Sequence, residues 1–223
     1  MNPEISIIIP TYNHGDLTAH LLLDILQYCS PANEVIIANN GSDDPAVAAG
    51  IKWWKSIAKL SLKEFRAAEN VGFLKICNLS VEKAKGDIII LISNDVNVRA
   101  DLTKLVLEIL KDARKIVGGI LYDHDTGWNQ FDGKIFSYLE GWLLAFHKKD
   151  WEIIGGFDER YSPHIFEDID FSTMAIKKGY NLIPLNESRI WHSVGQTIKY
   201  GPERDKLTSK NKEKFRKKWI KEN

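Results

Sequence analysis

Ile5-Ser6-Ile7-Ile8-Ile9-Pro10-Thr11-Tyr12-Asn13 is the stretch that decides the fold. β-Branched isoleucines favour extended backbone, and Pro10, lacking an N–H, predicts the end of the run. A run with little polar alternation is read as a strand buried on both faces, as in a parallel sheet with helices on either side. Glu34-Val35-Ile36-Ile37-Ala38 and Asp87-Ile88-Ile89-Ile90-Leu91-Ile92 repeat the signal. Between these runs the pattern predicts helices from Leu17 to Tyr28, from Pro45 to Leu60 after the cap candidates Ser42-Asp43-Asp44, and from Leu74 to Lys85, ended by Gly86. The order is βαβαβ, which places the chain in the α/β class.

Asp101 to Lys115 reads as an amphipathic helix, after which the texture changes. Residues 122–147 mix Gly127, Gly133 and Gly141 with Trp128, Phe131, Phe136, Tyr138, Trp142 and Phe146, a composition expected of strands and loops around a cleft. A short helix is expected over Lys148 to Ile154, a longer one over Asp168 to Lys178 ended by Gly179, and a strand over 180–192.

The 223 residues are 44% hydrophobic and 27% charged, with 30 Lys+Arg against 30 Asp+Glu. This is the composition of a globular domain, and its zero net charge argues against a nucleic-acid binder. The balance is uneven: from Arg204 onward the chain carries +6, and the preceding residues carry −6. Cys29 and Cys77 sit beside apolar residues and read as separate buried thiols in a reducing compartment. With neither a signal-peptide pattern nor an apolar run of about 20 residues, the expected location is cytoplasmic.

In parallel α/β sheets, ligands bind at the carboxyl ends of strands. Those ends carry Pro10-Thr11-Tyr12-Asn13, Asn39-Asn40-Gly41-Ser42-Asp43-Asp44 and Ser93-Asn94-Asp95. An aromatic, amides and carboxylates together suit a nucleotide with an oxygen-ligated divalent metal at its phosphates. Each loop alone is equally compatible with turn chemistry. A second concentration is Gly155-Gly156-Phe157-Asp158-Glu159 followed by Phe166-Glu167-Asp168-Ile169-Asp170-Phe171. Helix-start acids explain one or two of these carboxylates, but crowding of like charges calls for a cation or a function. His192, by itself, reads as an ordinary core or surface histidine.

Taken together, these motifs resemble the family 2 glycosyltransferases of GT-A fold, especially the bacterial type that builds polysaccharide and O-antigen chains. The resemblance runs from about Ile5 to about Thr197 through Ser6 to Asn13, Ala38 to Asp44, Glu69 to Asn78, Gly86 to Val96, Glu140 to Tyr161, Phe166 to Phe171 and the late His192. It implies a Rossmann-like, mostly parallel central sheet flanked by helices. It also implies an inverting transfer from a UDP-, GDP- or dTDP-sugar to a saccharide or lipid-linked hydroxyl acceptor. By the same resemblance, Pro10, Tyr12, Asn13, Asn39, Asn40, Asn70, Gly72, Asn94 and Asp95 would bind the nucleotide sugar. Glu140, Gly141 and Trp142 would shape the sugar and acceptor subsites. Asp95 and His192 would hold Mn²⁺ or Mg²⁺, and Asp168, with Glu167 beside it, would be the catalytic base.

Two positions depart from the family pattern. Asn39 stands where an Asp is usual, and Ser93 replaces the first acid of the DXD motif, which implies a weaker or more water-rich metal site. Two rival readings remain: a non-catalytic sugar-nucleotide binder, and a sugar nucleotidyltransferase, which would need a phosphate loop after the first strand. The expected organisation is a catalytic domain over 1–203 and a basic helical tail over 204–223. The tail's Phe215, Trp219 and Ile220 recur at roughly helical spacing, so it is read either as packed on the domain or as a peripheral membrane contact.

Overall fold

The computed structural model describes residues 4–30, 32–57, 61–193 and 201–220. In chain order the elements are β1 (Ile5–Thr11), α1 (Gly15–Tyr28), β2 (Glu34–Asn39), α2 (Pro45–Ile57), β3 (Leu62–Arg66), α3 (Phe73–Lys83), β4 (Ile88–Ile92), β5 (Val96–Val98), α4 (Leu102–Ile109), β6 (Lys115–Gly118) and β7 (Leu121–Tyr122). They continue with β8 (Gln130–Phe131), β9 (Lys134–Ile135), β10 (Tyr138–Leu139), β11 (Leu143–His147), α5 (Lys148–Ile154), α6 (Glu167–Lys177), β12 (Asn181–Pro184), β13 (Ile190–His192) and α7 (Pro202–Trp219).

A seven-stranded sheet runs in the order β12-β6-β11-β4-β1-β2-β3. All its pairings are parallel except those of β11, which runs antiparallel between β4 and β6. The expected mixed α/β class with a mostly parallel sheet is what the chain forms. Alternate residues of each central strand feed separate cores, because successive side chains point to opposite faces. Ile7, Ile9, Ile37 and Ile90 pack with Leu22 of α1, Trp54 of α2 and Val106 of α4 on one face. Ile8, Ile36, Ile89 and Leu91 pack with Cys77 of α3, Trp151 of α5, Phe171 of α6 and Phe215 of α7 on the other.

Several expectations about local structure change. The helix read over Asp101 to Lys115 stops at Ile109, and Lys115 opens β6. Asp101 itself is its N-cap, accepting from the Lys104 amide at 3.1 Å. Strand β3 was not expected: Leu62-Lys63-Glu64-Phe65-Arg66 is an edge strand whose charged residues are mostly exposed, so it shows no apolar run. The single strand read over 180–192 is two, β12 in the main sheet and β13 paired antiparallel with β5. The helix starting at Pro45 is described to Ile57; residues 58–60 of that reading lie outside the described residues, as do 194–197 of the resemblance and 221–223 of the tail.

The basic tail is the helix α7, and its apolar stripe faces the protein. Phe215 is fully buried, with its ring centroid 5.0 Å from Phe131 and 5.1 Å from Phe136, and Trp219 and Ile220 pack on the same core. Of the three residues considered as membrane anchors, Phe215 is covered and Trp219 and Ile220 are partly buried against the domain. Among the described residues no helix is long and apolar enough to cross a membrane.

Candidate active site

The carboxyl ends of β1, β2 and β4 carry the polar loops, and the chain ties them together. Asn13 takes a left-handed conformation (φ 56°), and its Oδ1 accepts from the amides of Asp43 at 3.0 Å and Asp44 at 3.1 Å. Asn39 is buried; its Oδ1 accepts from the Ser42 amide, and its Nδ2 donates to Glu64 Oε1 at 2.7 Å. Asn40 links the second loop to the next: its Nδ2 donates to Asn70 Oδ1 at 2.9 Å, and its Oδ1 accepts from the Val71 amide. Asn94 donates to Thr18 Oγ1 at 3.2 Å, and Thr18 lies 3.4 Å from Thr11 at the end of β1. These amides thus build the wall of the site. Pro10 is buried within β1 opposite Ala38. Tyr12 is 46% exposed.

Gly72 precedes α3 with φ 90°, a conformation L side chains rarely adopt. A Cβ there would lie 2.8 Å from Ser162 Oγ, so the loop before α3 touches the loop that leads to Asp168.

The turn Ser93-Asn94-Asp95 follows β4 and is held by the Trp142 carbonyl, which accepts from the Ser93 amide at 2.9 Å. β13 returns antiparallel to β5 with His192 opposite Val96. That pairing brings His192 Nε2 to 3.2 Å from Asp95 Oδ1. The His192 ring stacks on Trp142, with centroids 5.8 Å apart and planes at 19°. Trp142 Nε1 in turn donates to Glu140 Oε2 at 3.0 Å.

Asp168 sits in the first turn of α6, and its Oδ1 accepts from the Ile169 amide at 2.8 Å. Burial pushes its carboxyl above the usual carboxylate range, and the Glu140 charge adds to the rise. Glu167 is also raised, by burial and then by Asp168, and its Oε2 is buried with no hydrogen-bond partner among the described residues. The thiol of Cys77 in α3 is pushed up by burial and then by the Glu167 charge. Asp170, the third acid, is structural: it accepts from Trp219 Nε1 at 2.7 Å and pairs with Lys218 Nζ at 2.8 Å.

With Gly141 set against Asp168, where an added Cβ would lie 3.3 Å from the Asp168 Cβ, the fold joins Asp95, His192, Trp142, Glu140, Gly141 and Asp168 in one connected group, with Glu167 adjacent in the helix. Asn13, Asn39, Asn40 and Asn70 form a second group, reached through Asn94, Thr18 and Thr11. The sequence reading did not include Glu64 and Arg66, which brace the second-strand loop; Arg66 Nη2 donates to the Ser42 carbonyl at 2.6 Å. Both lie on β3, which carries no apolar signal. It also did not include Tyr122 and Tyr138, whose hydroxyls are raised by burial and by the Glu140 and Asp168 charges. The aromatic texture of 122–147 was the available clue.

Asp95 and His192 offer one oxygen and one nitrogen donor within 3.2 Å of each other, and His192 Nδ1 is buried. Among the described residues no cluster of three or more potential ligands exists. Two protein ligands fit a divalent cation that takes its remaining positions from phosphate oxygens and water.

Residues 6–176 match the family described as glycosyl transferase family 2. An uncharacterized glycosyltransferase of Synechocystis sp. is 26% identical over 146 residues, covering 63% of this chain and 45% of its own length, so the chain spans about half of that relative. Among solved structures, the mannosyltransferase PcManGT from Pyrobaculum calidifontis superposes with TM-score 0.65 at 22% identity over 82% of this chain and 55% of its own. GalNAc-T7 gives 0.66 at 15% over 82% and 43%, and a 1–349 fragment of TarS from S. aureus gives 0.66 at 16% over 85% and 60%. These likenesses establish the GT-A fold, and the match over most of its length shows that the chain belongs to glycosyl transferase family 2.

Proposed function

We propose that the protein is an inverting glycosyltransferase that moves a sugar from a nucleoside-diphosphate donor to a hydroxyl acceptor, with Asp168 as general base. The observation that carries this reading is the convergence of Asp168, Glu140 and Trp142 with the Asp95–His192 pair in one connected group. PcManGT was solved with GDP-Man and Mn²⁺ and GalNAc-T7 with UDP, GalNAc and Mn²⁺, which supports a nucleotide sugar and a divalent metal here.

Each residue's part follows from its surroundings. Tyr12 offers an exposed ring to the base, and the amide-built loops around Asn13, Asn39, Asn40 and Asn70 fix the shape of that pocket. Asp95 and His192 would hold the metal, which supplies positive charge to the departing diphosphate. Asp168, ionised, accepts the proton of the acceptor hydroxyl as its oxygen attacks the anomeric carbon. Its raised pKa strengthens it as a base, and Trp142, fixed through Glu140, walls the side where sugar and acceptor meet. The acceptor is a saccharide or a lipid-linked saccharide of the kind used in polysaccharide assembly.

The test is transfer and hydrolysis with a panel of UDP-, GDP- and dTDP-sugars plus Mn²⁺. Asp168→Asn is expected to lower turnover by about 10²- to 10⁴-fold while donor binding persists. Wild-type turnover in that variant would overturn the role of Asp168. Tight donor binding without turnover in the native protein would identify a binder instead, and release of pyrophosphate from a nucleoside triphosphate supplied with a sugar 1-phosphate would identify a nucleotidyltransferase.

A further inference from the structure

The loop that delivers Asp168 to the site has an unusual backbone. Ile165 and Phe166, immediately before α6, both have positive φ, 75° and 77°. A β-branched or bulky residue in this region is strained, and two in succession persist only where the surroundings hold them. The helix start does not provide that hold by itself, since its N-cap is Phe166, with no side-chain capping bond.

The hold comes from α7, which lies beyond the residues 6–176 that match the family. Asn211 is fully buried, and its Nδ2 lies 2.8 Å from the Tyr161 carbonyl and 2.9 Å from those of His164 and Ile165. Lys218 Nζ lies 2.9 Å from Asp158 Oδ2 and 2.8 Å from Asp170 Oδ2, so one ammonium bridges the acid before the loop and the acid after it. Phe215 packs on Phe166 itself, at 5.7 Å between centroids. On its far side the same loop caps α3, the Pro163 carbonyl accepting from the Phe73 amide at 3.1 Å.

We infer that α7 is a positioning clasp: through Asn211 and Lys218 it fixes the strained 161–166 loop and thereby sets where the Asp168 carboxylate stands relative to the donor loop at Gly72. The inference rests on Asp168 being the base, and it gives the basic tail a specific task within the catalytic domain. A clasp acts on the alignment of the base and leaves the Asn13, Asn39 and Asn40 wall that follows β1 and β2 in place. Misplacing a reacting group by about 1 Å is enough to cost roughly 10²-fold in rate.

The experiment uses the full chain and the variants Asn211→Ala, Lys218→Met and Lys218→Arg, with folding checked by circular dichroism. Asn211→Ala is expected to lower kcat by about 10- to 100-fold, with donor KM changed less than about twofold. Lys218→Met is expected to fall in the same direction by a smaller factor, and Lys218→Arg to restore most of it by keeping the bridging charge. In parallel, amide hydrogen exchange of peptides spanning 161–168 is expected to quicken in Asn211→Ala and Lys218→Met, with the central strands unchanged. Native kcat and native exchange over 161–168 in a folded Asn211→Ala protein would overturn the clasp. Should Asn211→Ala not fold, the same result in Lys218→Met overturns it. The exchange measurement needs no turnover: if the native protein transfers no sugar, the reading of Asp168 as base fails, while faster exchange over 161–168 still establishes the clasp on the loop.

Discussion

Gly141 and Asp168 meet backbone against side chain: a methyl group added at Gly141 would stand 3.3 Å from the Asp168 Cβ. A side chain at 141 can be added only by displacing Asp168 by a few tenths of an ångström or shifting the strand end. Gly141→Ala is therefore expected to lower kcat by about tenfold, by displacement of the proposed base, with donor affinity measured by calorimetry unchanged. Unaltered kcat would show that the site tolerates that displacement.

In the role proposed for it Asp168 would act only when ionised, and burial and the Glu140 charge hold its pKa above the usual range. Turnover should thus fall as pH drops through a value higher than that of a free aspartate, about 3.9. Removing the neighbouring charge by Glu140→Gln favours ionisation, so the acid limb of the kcat–pH profile should move to lower pH. An unmoved limb would mean that another group titrates there. The limb belongs to Asp168 and Glu167 as an interacting pair.

Glu167 predicts a stability effect of opposite sense to the usual salt-bridged acid. Its folded pKa is raised by burial and by Asp168, so above about pH 4.3, where the unfolded chain has released its proton, ionisation opposes folding. The opposition grows with pH until the raised value is passed. Glu167→Gln removes it, and the gain in Tm over the native protein should be larger at pH 8 than at pH 5. An equal gain at both would show that the carboxyl titrates alike in the two states.

His192 contributes one of the two donors at the Asp95 turn. Its replacement by Ala should weaken Mn²⁺ binding at least about tenfold in a titration followed by electron paramagnetic resonance with nucleoside diphosphate present. Unchanged affinity would place the cation on Asp95 without His192.

Asp101 caps α4 and also accepts from Ser30, which holds its pKa down to about 2 despite partial burial. Asp101→Ala should cost about 1–2 kcal/mol in urea melts at neutral pH. Because a depressed acid stabilises only where it is ionised, the difference should shrink as pH falls from about 4 towards about 2.

Much of this protein was determined locally. The isoleucine-rich runs at 5–9, 34–38 and 87–92 specify buried strands whatever surrounds them, and Gly179 marks where α6 ends, whereas α3 stops at Lys83, ahead of Gly86. The polar residues after those strands mark the candidate site, because ligands bind at the carboxyl ends of parallel strands. The tertiary structure alone decided the rest. Strand β3 exists because an edge position suits the charged Leu62–Arg66 segment, and its Glu64 supplies a carboxylate beside Asn39, where the family usually has an acid. The opposite charges of body and tail were legible as a sum, but their meeting at Lys218, Asp158 and Asp170 was not. A local run reports its own burial and periodicity. Which distant charge, amide or ring completes it is set by packing across the fold, and the Asp168 loop depends on that packing for its shape.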